Sequence, residues 1–319
     1  MKSVTERFFK SLELGNIEWN EGLAAVPVFS SLESHTPYIT LQEAFKTGKI
    51  EVRELSQGGS VPELFVINNS TQNILILDGE ELQGAKQNRI LNVTVLLAGK
   101  ARIVVPVSCT EKGRWHYTSS VFKDSGTIAA QSVRLSKNRS VSENLRMSGS
   151  FDSDQSEVWR KIDDLSMRSK VTSETSAMRD VFKDLDKMLE SCASSFPVIE
   201  RQQGVIFFRG SEPAGFEYLS DPGVFRDLYP RILRSYAVET SAGVKPRGDR
   251  PTMEQVRIFI EKVASSTMTV GDSVGKGEDI RFAGEGVIGS ALAYEEEVLH
   301  AVFFPEGVTG KFPIEMRGF

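Results

Sequence analysis

"ILNVTVLLAGKARIVVPVSC", Ile90–Cys109, decides the fold class. Two arms rich in β-branched residues, Ile90–Leu97 and Arg102–Ser108, flank Ala98-Gly99-Lys100. Such arms around a glycine-containing loop predict a β-hairpin, and their near-continuous apolar character predicts strands covered on both faces. In that hairpin Val93–Leu97 pairs with Arg102–Ser108. Asn92 and the Ser108–Glu111 stretch then fall at the same end of the sheet.

The flanking sequence continues the β pattern. Gly22–Phe29 predicts a strand, and its proline predicts an edge position because a proline cannot donate to a ladder. Thr40–Lys46 suits a short helix with Thr40 as N-cap and Glu43 completing a capping box. Further strands are expected at Glu51–Leu55, Glu63–Asn68, Ile74–Leu77 and His116–Phe122, with SQGGSVP and Asp78-Gly79 as turns. From about Thr127 to Ser195 the chain turns serine-rich, charged and helical. Met178, Val181, Phe182, Leu185, Met188, Leu189 and Cys192 form one apolar stripe. Val158, Trp159, Ile162 and Leu165 mark a second helix, and Ile128 to Leu145 a third with a weaker stripe. Met147–Gln155 is the loop and candidate hinge between helices. The region suits a solvated outer layer or an arm in an oligomer.

Mixed structure returns after that. Gly204–Arg209 and Phe216–Leu219 make a hairpin, and Asp221-Pro222 starts a helix. Pro230 should kink or restart this helix, which runs to about Val238. Thr252–Ala264 is helical. Strands follow at Thr267–Gly271, Val287–Tyr294 and Val298–Phe304, the last two across a solvated Glu295-Glu296-Glu297 tip. The fold class is α+β: a mostly antiparallel β-sheet core, a helical middle insertion and a C-terminal returning sheet. We expect one domain over 1–319, with a β-rich part at 1–125, the insertion at 126–196 and a mixed part at 197–319.

Bulk chemistry bounds the function. The chain has 319 residues, 40% apolar and 25% charged, with net charge −5 and two cysteines. The acidic balance gives no strong nucleic-acid signal. No apolar run is long enough for a membrane helix or a signal peptide core. Two distant cysteines make no disulfide framework, so a cytoplasmic location is expected. No CxxC or HExxH occurs, and the cofactor stays unknown; a Mg²⁺ site needing one or two carboxylates remains compatible.

The stretch preceding the hairpin, "LDGEELQGAKQNRILN" (Leu77–Asn92), carries the candidate chemistry. Its G-x-x-x-x-G-like spacing is not a phosphate loop, because the lysine is one place late and no Ser or Thr follows. Glu80 and Glu81 are tentative catalytic carboxylates, a pair that would bind a metal or share a proton. Lys86 and Arg89, three apart, would point the same way on a helical turn and suit a phosphate or carboxylate. Gln87, Asn88 and Asn92 suit hydroxyl or base groups. The second node, Thr110–Trp115, adds Glu111, Arg114 and the stacking wall of Trp115, and the hairpin brings it to the same rim. The plainer alternative is a polar network that braces two sheet edges. Cys109, near Glu111, Arg114 and His116, is either an activated thiol or a small buried strand end.

LDGEELQGAKQNRILN and PVSCTEKGRW together resemble the domain named for its association with ADP-ribosylglycohydrolases and rhodanese-phosphatase proteins, a domain of unknown function. The resemblance is specific over Leu77–Trp115 and looser beyond it, although the length fits one whole domain. It implies a link to ADP-ribose or nucleotide metabolism in prokaryotic stress or conflict systems. The first expectation is therefore a ligand-binding domain for a nucleotide-like or ADP-ribose-like small molecule. Lys86, Arg89 and Arg114 would hold phosphate. The second is a carboxylate-based or Mg²⁺-assisted hydrolase. The third is a non-catalytic scaffold that forms a homo-oligomer through its helical middle.

Overall fold

A computed structural model describes residues 2–55, 62–114, 119, 121–242 and 248–306. Trp115, His116 and most of SQGGSVP lie outside these residues. Among the described residues there are eight helices and eighteen mostly antiparallel strands, an α+β fold.

The chain opens with α1 (Lys2–Lys10), β1 (Leu12–Leu14), β2 (Glu18–Asn20) and β3 (Leu23–Ser30). β4 (Tyr38–Thr40), α2 (Leu41–Lys46), β5 (Ile50–Glu54), β6 (Glu63–Asn68) and β7 (Asn73–Ile76) follow. The motif region holds β8 (Glu80–Gly84), β9 (Arg89–Leu91), β10 (Val95–Leu97), β11 (Arg102–Cys109) and β12 (Phe122–Ile128). The helical middle is α3 (Gln131–Ser148), α4 (Gln155–Ser169), α5 (Met178–Asp184) and α6 (Asp186–Ser194). Then come β13 (Gly204–Arg209), β14 (Glu212–Leu219), α7 (Pro222–Ser241) and α8 (Met253–Ala264). The last strands are β15 (Thr267–Asp272), β16 (Glu278–Gly284), β17 (Val287–Tyr294) and β18 (Glu297–Pro305).

Nine strands form the largest sheet, in the order β1-β3-β13-β14-β18-β17-β16-β15, with β2 also on β3. Both faces of its central strands are covered, and alternate residues go to opposite sides. Val205 and Phe207 meet α7 and the helical middle, whereas Ile206 and Phe208 meet α1 and α8. β3 is interior, not the expected edge strand, because it lies between β13 and the pair β1 and β2. Pro27 is tolerated there because β2 pairs with Leu23–Ala25 and β1 with Val28–Ser30, leaving the proline between the two ladders.

The opening hairpin is corrected in its pairing. β10 pairs with β7, while β11 pairs first with β6 and then, through Val107–Cys109, with β9. The first arm splits because its polar residues are buried and need partners. Asn92 Oδ1 accepts from Ser108 Oγ at 2.6 Å, and Thr94 Oγ1 meets His300 Nδ1 at 2.8 Å. The expected meeting of the two polar nodes survives, because β9 and β11 put Arg89 opposite Cys109.

Other expectations hold with changes. Thr40 caps α2 by accepting from Glu43 N at 3.1 Å. The single helix expected through Leu185 is two helices, α5 and α6, that meet at that residue. α7 runs unbroken through Pro230; its buried face, including Phe225, Tyr229 and Tyr236, holds it despite the missing N–H. Four strands follow α8, not three: β16 was missed because Asp279 and Arg281 interrupt its apolar pattern. α3 is interior rather than part of a solvated layer, with Arg134, Lys137, Asn138 and Val141 buried. No helix among the described residues is long and apolar enough to cross a membrane.

Candidate functional site

LDGEELQGAKQNRILN is itself a hairpin. β8 pairs with β9, Glu81 opposite Ile90 and Leu82 opposite Arg89, and Ala85 takes a left-handed φ of 46° in the loop. The helical turn expected for Lys86 and Arg89 is therefore absent. Consecutive side chains on a strand face opposite ways, so Glu80 and Glu81 enter two different polar nodes instead of sharing a metal or proton.

The Glu81 node gathers the residues chosen from sequence. Thr110 Oγ1 donates to Glu81 Oε1 at 2.7 Å. Glu111 Oε2 accepts from Arg114 Nη2 at 2.6 Å and from Asn88 N at 3.3 Å, while Glu111 Oε1 accepts from Thr175 Oγ1 at 2.9 Å. Gln87 Nε2 donates to the Glu111 carbonyl at 2.7 Å. Arg114 Nη1 donates to Ala85 O at 2.8 Å. Arg89 is buried; its Nη1 donates to Gln87 Oε1 at 3.0 Å and to Cys109 Sγ, and its Nη2 lies 3.7 Å from Glu54. Arg89, Arg114, Gln87, Asn88 and Glu111 thus converge as expected, but much of their bonding is to one another. Half-buried Lys86 lies beside Glu54.

Burial pushes Glu81 up to about 7, although Thr110 bonds it. Ser125 also bonds this buried carboxylate, and Arg179 stands beside it. Arg179 Nη1 is buried and unpartnered. Burial opposes charge on Glu111 too, yet Arg114 and Thr175 hold it below the usual carboxylate range. Cys109 is buried, and burial pushes its thiol up to about 11, which fits the strand-end reading rather than an activated thiol.

The Glu80 node was largely invisible in the sequence. Lys137 donates to Asp78 and, at 2.8 Å, to Asn92 O. Arg134 grips Glu217 with two nitrogens, at 2.6 and 3.1 Å. Tyr236 donates to the same carboxylate at 2.7 Å, and His300 Nε2 lies 3.7 Å away. Arg231 holds Asp124 at 2.7 and 3.1 Å. These pairs leave Glu80 as the acid without a cation of its own: Oε2 accepts from Leu77 N at 2.7 Å, and Oε1 stands 3.8 Å from Arg231. Burial pushes Glu80 up to about 8. Glu217 is also buried, yet Arg134 and His300 bring it down to about 2. Burial lowers His300 and Lys137, the latter also through Arg281. Gly79 closes the turn above Arg134 at φ 81°, where a Cβ would meet Arg134 Cδ at 2.8 Å.

Two sequence signals mark the missed residues. Glu217 and His300 interrupt otherwise apolar strands. Positions 134, 137, 138 and 141 have the spacing of an inward helical stripe, filled mainly with polar groups.

A cleft of about 800 Å³ lies between α3 and β15–β16. On its lining, Arg281 is fixed by Asp279 through Nε at 2.5 Å and Nη2 at 2.8 Å, with Phe151 against the guanidinium at 6.0 Å. Arg281 Nη1 is buried and unpartnered. Arg139 and Arg146 line the α3 wall. None of the sequence-chosen residues lines this cleft, but Asn92 Nδ2 reaches Phe151 O at 3.0 Å. Ser153 and Gln155 of the candidate hinge bond Ser108 and Cys109. Among the described residues, no three His, Cys, Asp or Glu side chains are placed to hold a metal.

The sequence model of the ARG and Rhodanese-Phosphatase-superfamily-associated Protein domain, ARPP-1, matches residues 11–304, and the chain belongs to that family. No curated protein and no solved structure matches it.

Proposed function

We propose that this ARPP-1 chain binds a nucleotide-like or ADP-ribose-like small molecule in the cleft between α3 and β15–β16. Arg281 Nη1 carries the reading. One edge of the guanidinium is committed to Asp279, which leaves a pre-oriented N–H for a phosphate or carbonyl oxygen. Arg146, on the same α3 wall, stands ready for a second anionic group, while Arg139 beside it is paired with Glu306 at 2.8 Å. About 800 Å³ is a volume suited to such a ligand. The phosphate role expected of Arg89 and Arg114 passes to Arg281 and Arg146, because the motif pair is engaged internally. The motif then supports the cleft from below through Asn92 and Phe151. The ADP-ribose part of the reading is supported by the family's name alone. Two unpaired cysteines fit a cytoplasmic setting.

The test is a thermal shift of the full chain with ADP-ribose, NAD and AMP, with and without Mg²⁺. A shift in the wild type that disappears in Arg281→Ala supports the reading. An equal shift in the variant refutes the cleft.

A second reading, hydrolysis, is favoured by one observation. Glu81 is buried beside Arg179, whose Nη1 has no partner, in a suitable setting for a carboxylate base beside a cation. Turnover lost in Glu81→Gln with binding retained supports it; unchanged turnover removes it.

A further inference from the structure

The lining of the cleft between α3 and β15–β16 has two chemical regions. Arg146 and the unpartnered Arg281 Nη1 supply cationic donors, whereas Leu145, Phe151, Val270 and Ile288 supply apolar surface. A ligand made only of sugar and phosphate would leave the apolar region against water or hydroxyls. Small-molecule sites are lined mainly by apolar and aromatic groups, with a few polar groups that fix orientation. An anion joined to a flat, weakly polar ring matches both regions.

Phe151 is the aromatic member of the lining, and it is half-buried. Part of it packs against the core that includes Leu91, Val107 and Val141, and the rest borders the cleft. The Arg281 guanidinium stands 6.0 Å from the ring centroid, beyond the roughly 3.5–4.0 Å of close packing, so it does not cover the ring.

The loop that carries Phe151 is tied to the motif region at several points. Asn92 Nδ2 donates to Phe151 O at 3.0 Å, and Ser153 Oγ meets Ser108 Oγ. Gln155 accepts from Cys109 N at 2.7 Å and donates to Cys109 O at 3.0 Å. Asn144 of α3 donates to Asp152 O at 2.8 Å. A ring on so fixed a loop gives up little freedom when a ligand settles on it. The buried motif thereby acquires a task at the cleft, with Asn92 as a positioning residue for Phe151.

We propose that the cleft recognises the nucleobase half of its ligand, with the base stacked on Phe151. This rests on the cleft being the ligand site and adds which half of an ADP-ribose-like molecule is read there. Aromatic side chains take bases by stacking, because every base has a π-face. The distal ribose phosphate of ADP-ribose has none.

AMP and ribose 5-phosphate are the two halves of ADP-ribose, and calorimetric titration of the full chain with each of them is the test. AMP should bind about tenfold tighter or more. Phe151→Leu should weaken AMP about fivefold or more, whereas Phe151→Tyr should keep it within about twofold of wild type. Asn92→Asp keeps an acceptor for Ser108 Oγ but loses the donor to Phe151 O. It should therefore lower the preference for AMP over ribose 5-phosphate severalfold, where a residue that only braced the sheet would weaken both alike. Equal affinity for the two halves overturns the proposal and leaves the cleft as an anion site. AMP affinity unchanged in Phe151→Leu overturns it in the same way. If that variant fails to fold, the wild-type comparison still decides. Absence of binding by both compounds overturns the proposal together with the cleft itself.

Discussion

Glu80 and Glu81 are adjacent in the chain and face opposite sides of β8: one meets Leu77 N and Arg231, the other Thr110. A single peptide unit therefore delivers two carboxylates to two buried nodes, and their behaviour separates on mutation.

The first consequence is a pH dependence. Glu80 is raised to about 8 in the folded chain, so its contribution to stability is complete below the ordinary carboxylate range and is lost as pH rises through about 8. Over that window unfolding releases a proton, at up to about 1.4 kcal/mol per pH unit. Urea denaturation should find Glu80→Gln close to wild type at pH 5 and more stable than wild type by at least about 1 kcal/mol at pH 8.5. Parallel stabilities at both pH values would contradict this.

Glu217 carries the opposite sign. Held at about 2, it stabilises the fold above the ordinary carboxylate range, and that contribution disappears as pH falls through about 2. Removing Arg134 leaves the buried carboxylate with only Tyr236 and His300 beside it, so Arg134→Met should cost about 3–5 kcal/mol at neutral pH. Arg134→Met with Glu217→Leu should recover a good part of this loss in the same denaturation assay. A double variant as weak as the sum of the singles would show that the two residues act independently.

Gly79 and Gly149 both have left-handed φ, at 81° and 72°, but differ in space. A Cβ at Gly79 meets Arg134, whereas Gly149 has nothing within 4 Å. Gly149→Ala should cost about 1 kcal/mol, from the backbone alone. Gly79→Ala should cost more, because Arg134 must also move. Thermal melts that rank the two the other way would count against the Gly79–Arg134 contact.

Thiol chemistry gives an independent check on burial. Cys109 and Cys192 are both pushed up to about 11 by burial. With an aromatic disulfide reagent at pH 8, the native protein should label slowly and the urea-unfolded protein should label both thiols quickly. Fast labelling of Cys109 in the native state would revive the activated-thiol reading.

Apolar alternation and turn chemistry made most strands legible in the sequence, as did the Thr40 and Asp221 caps. The convergence of Arg89 with Cys109 and Glu111 was also legible, although the ladder that produces it is β9–β11. The split of β9 from β10 was hidden because Asn92 and Thr94 choose partners, Ser108 and His300, that only the tertiary fold brings near. α3 was the least legible helix and the most central, because an inward stripe of Arg134, Lys137 and Asn138 looks like a solvated one. Arg281 was hidden for the same reason: a charged residue in a strand signals exposure unless its partner Asp279 is recognised.

The placement of β3 has a consequence for synthesis on the ribosome. Its long partner β13 (Gly204–Arg209) emerges so much later that, at roughly 5–20 residues per second, β3 waits on the order of ten seconds or more beside only the short β1 and β2. An apolar strand waiting that long is a template for unwanted pairing. Pro27 O accepts from Gly15 N, so the missing N–H lies on the β1–β2 side and leaves the β13-facing template intact. The residue that seemed to mark an edge of the finished sheet marks only the gap between two short strands, and the long edge of β3 stays open while the chain is being made.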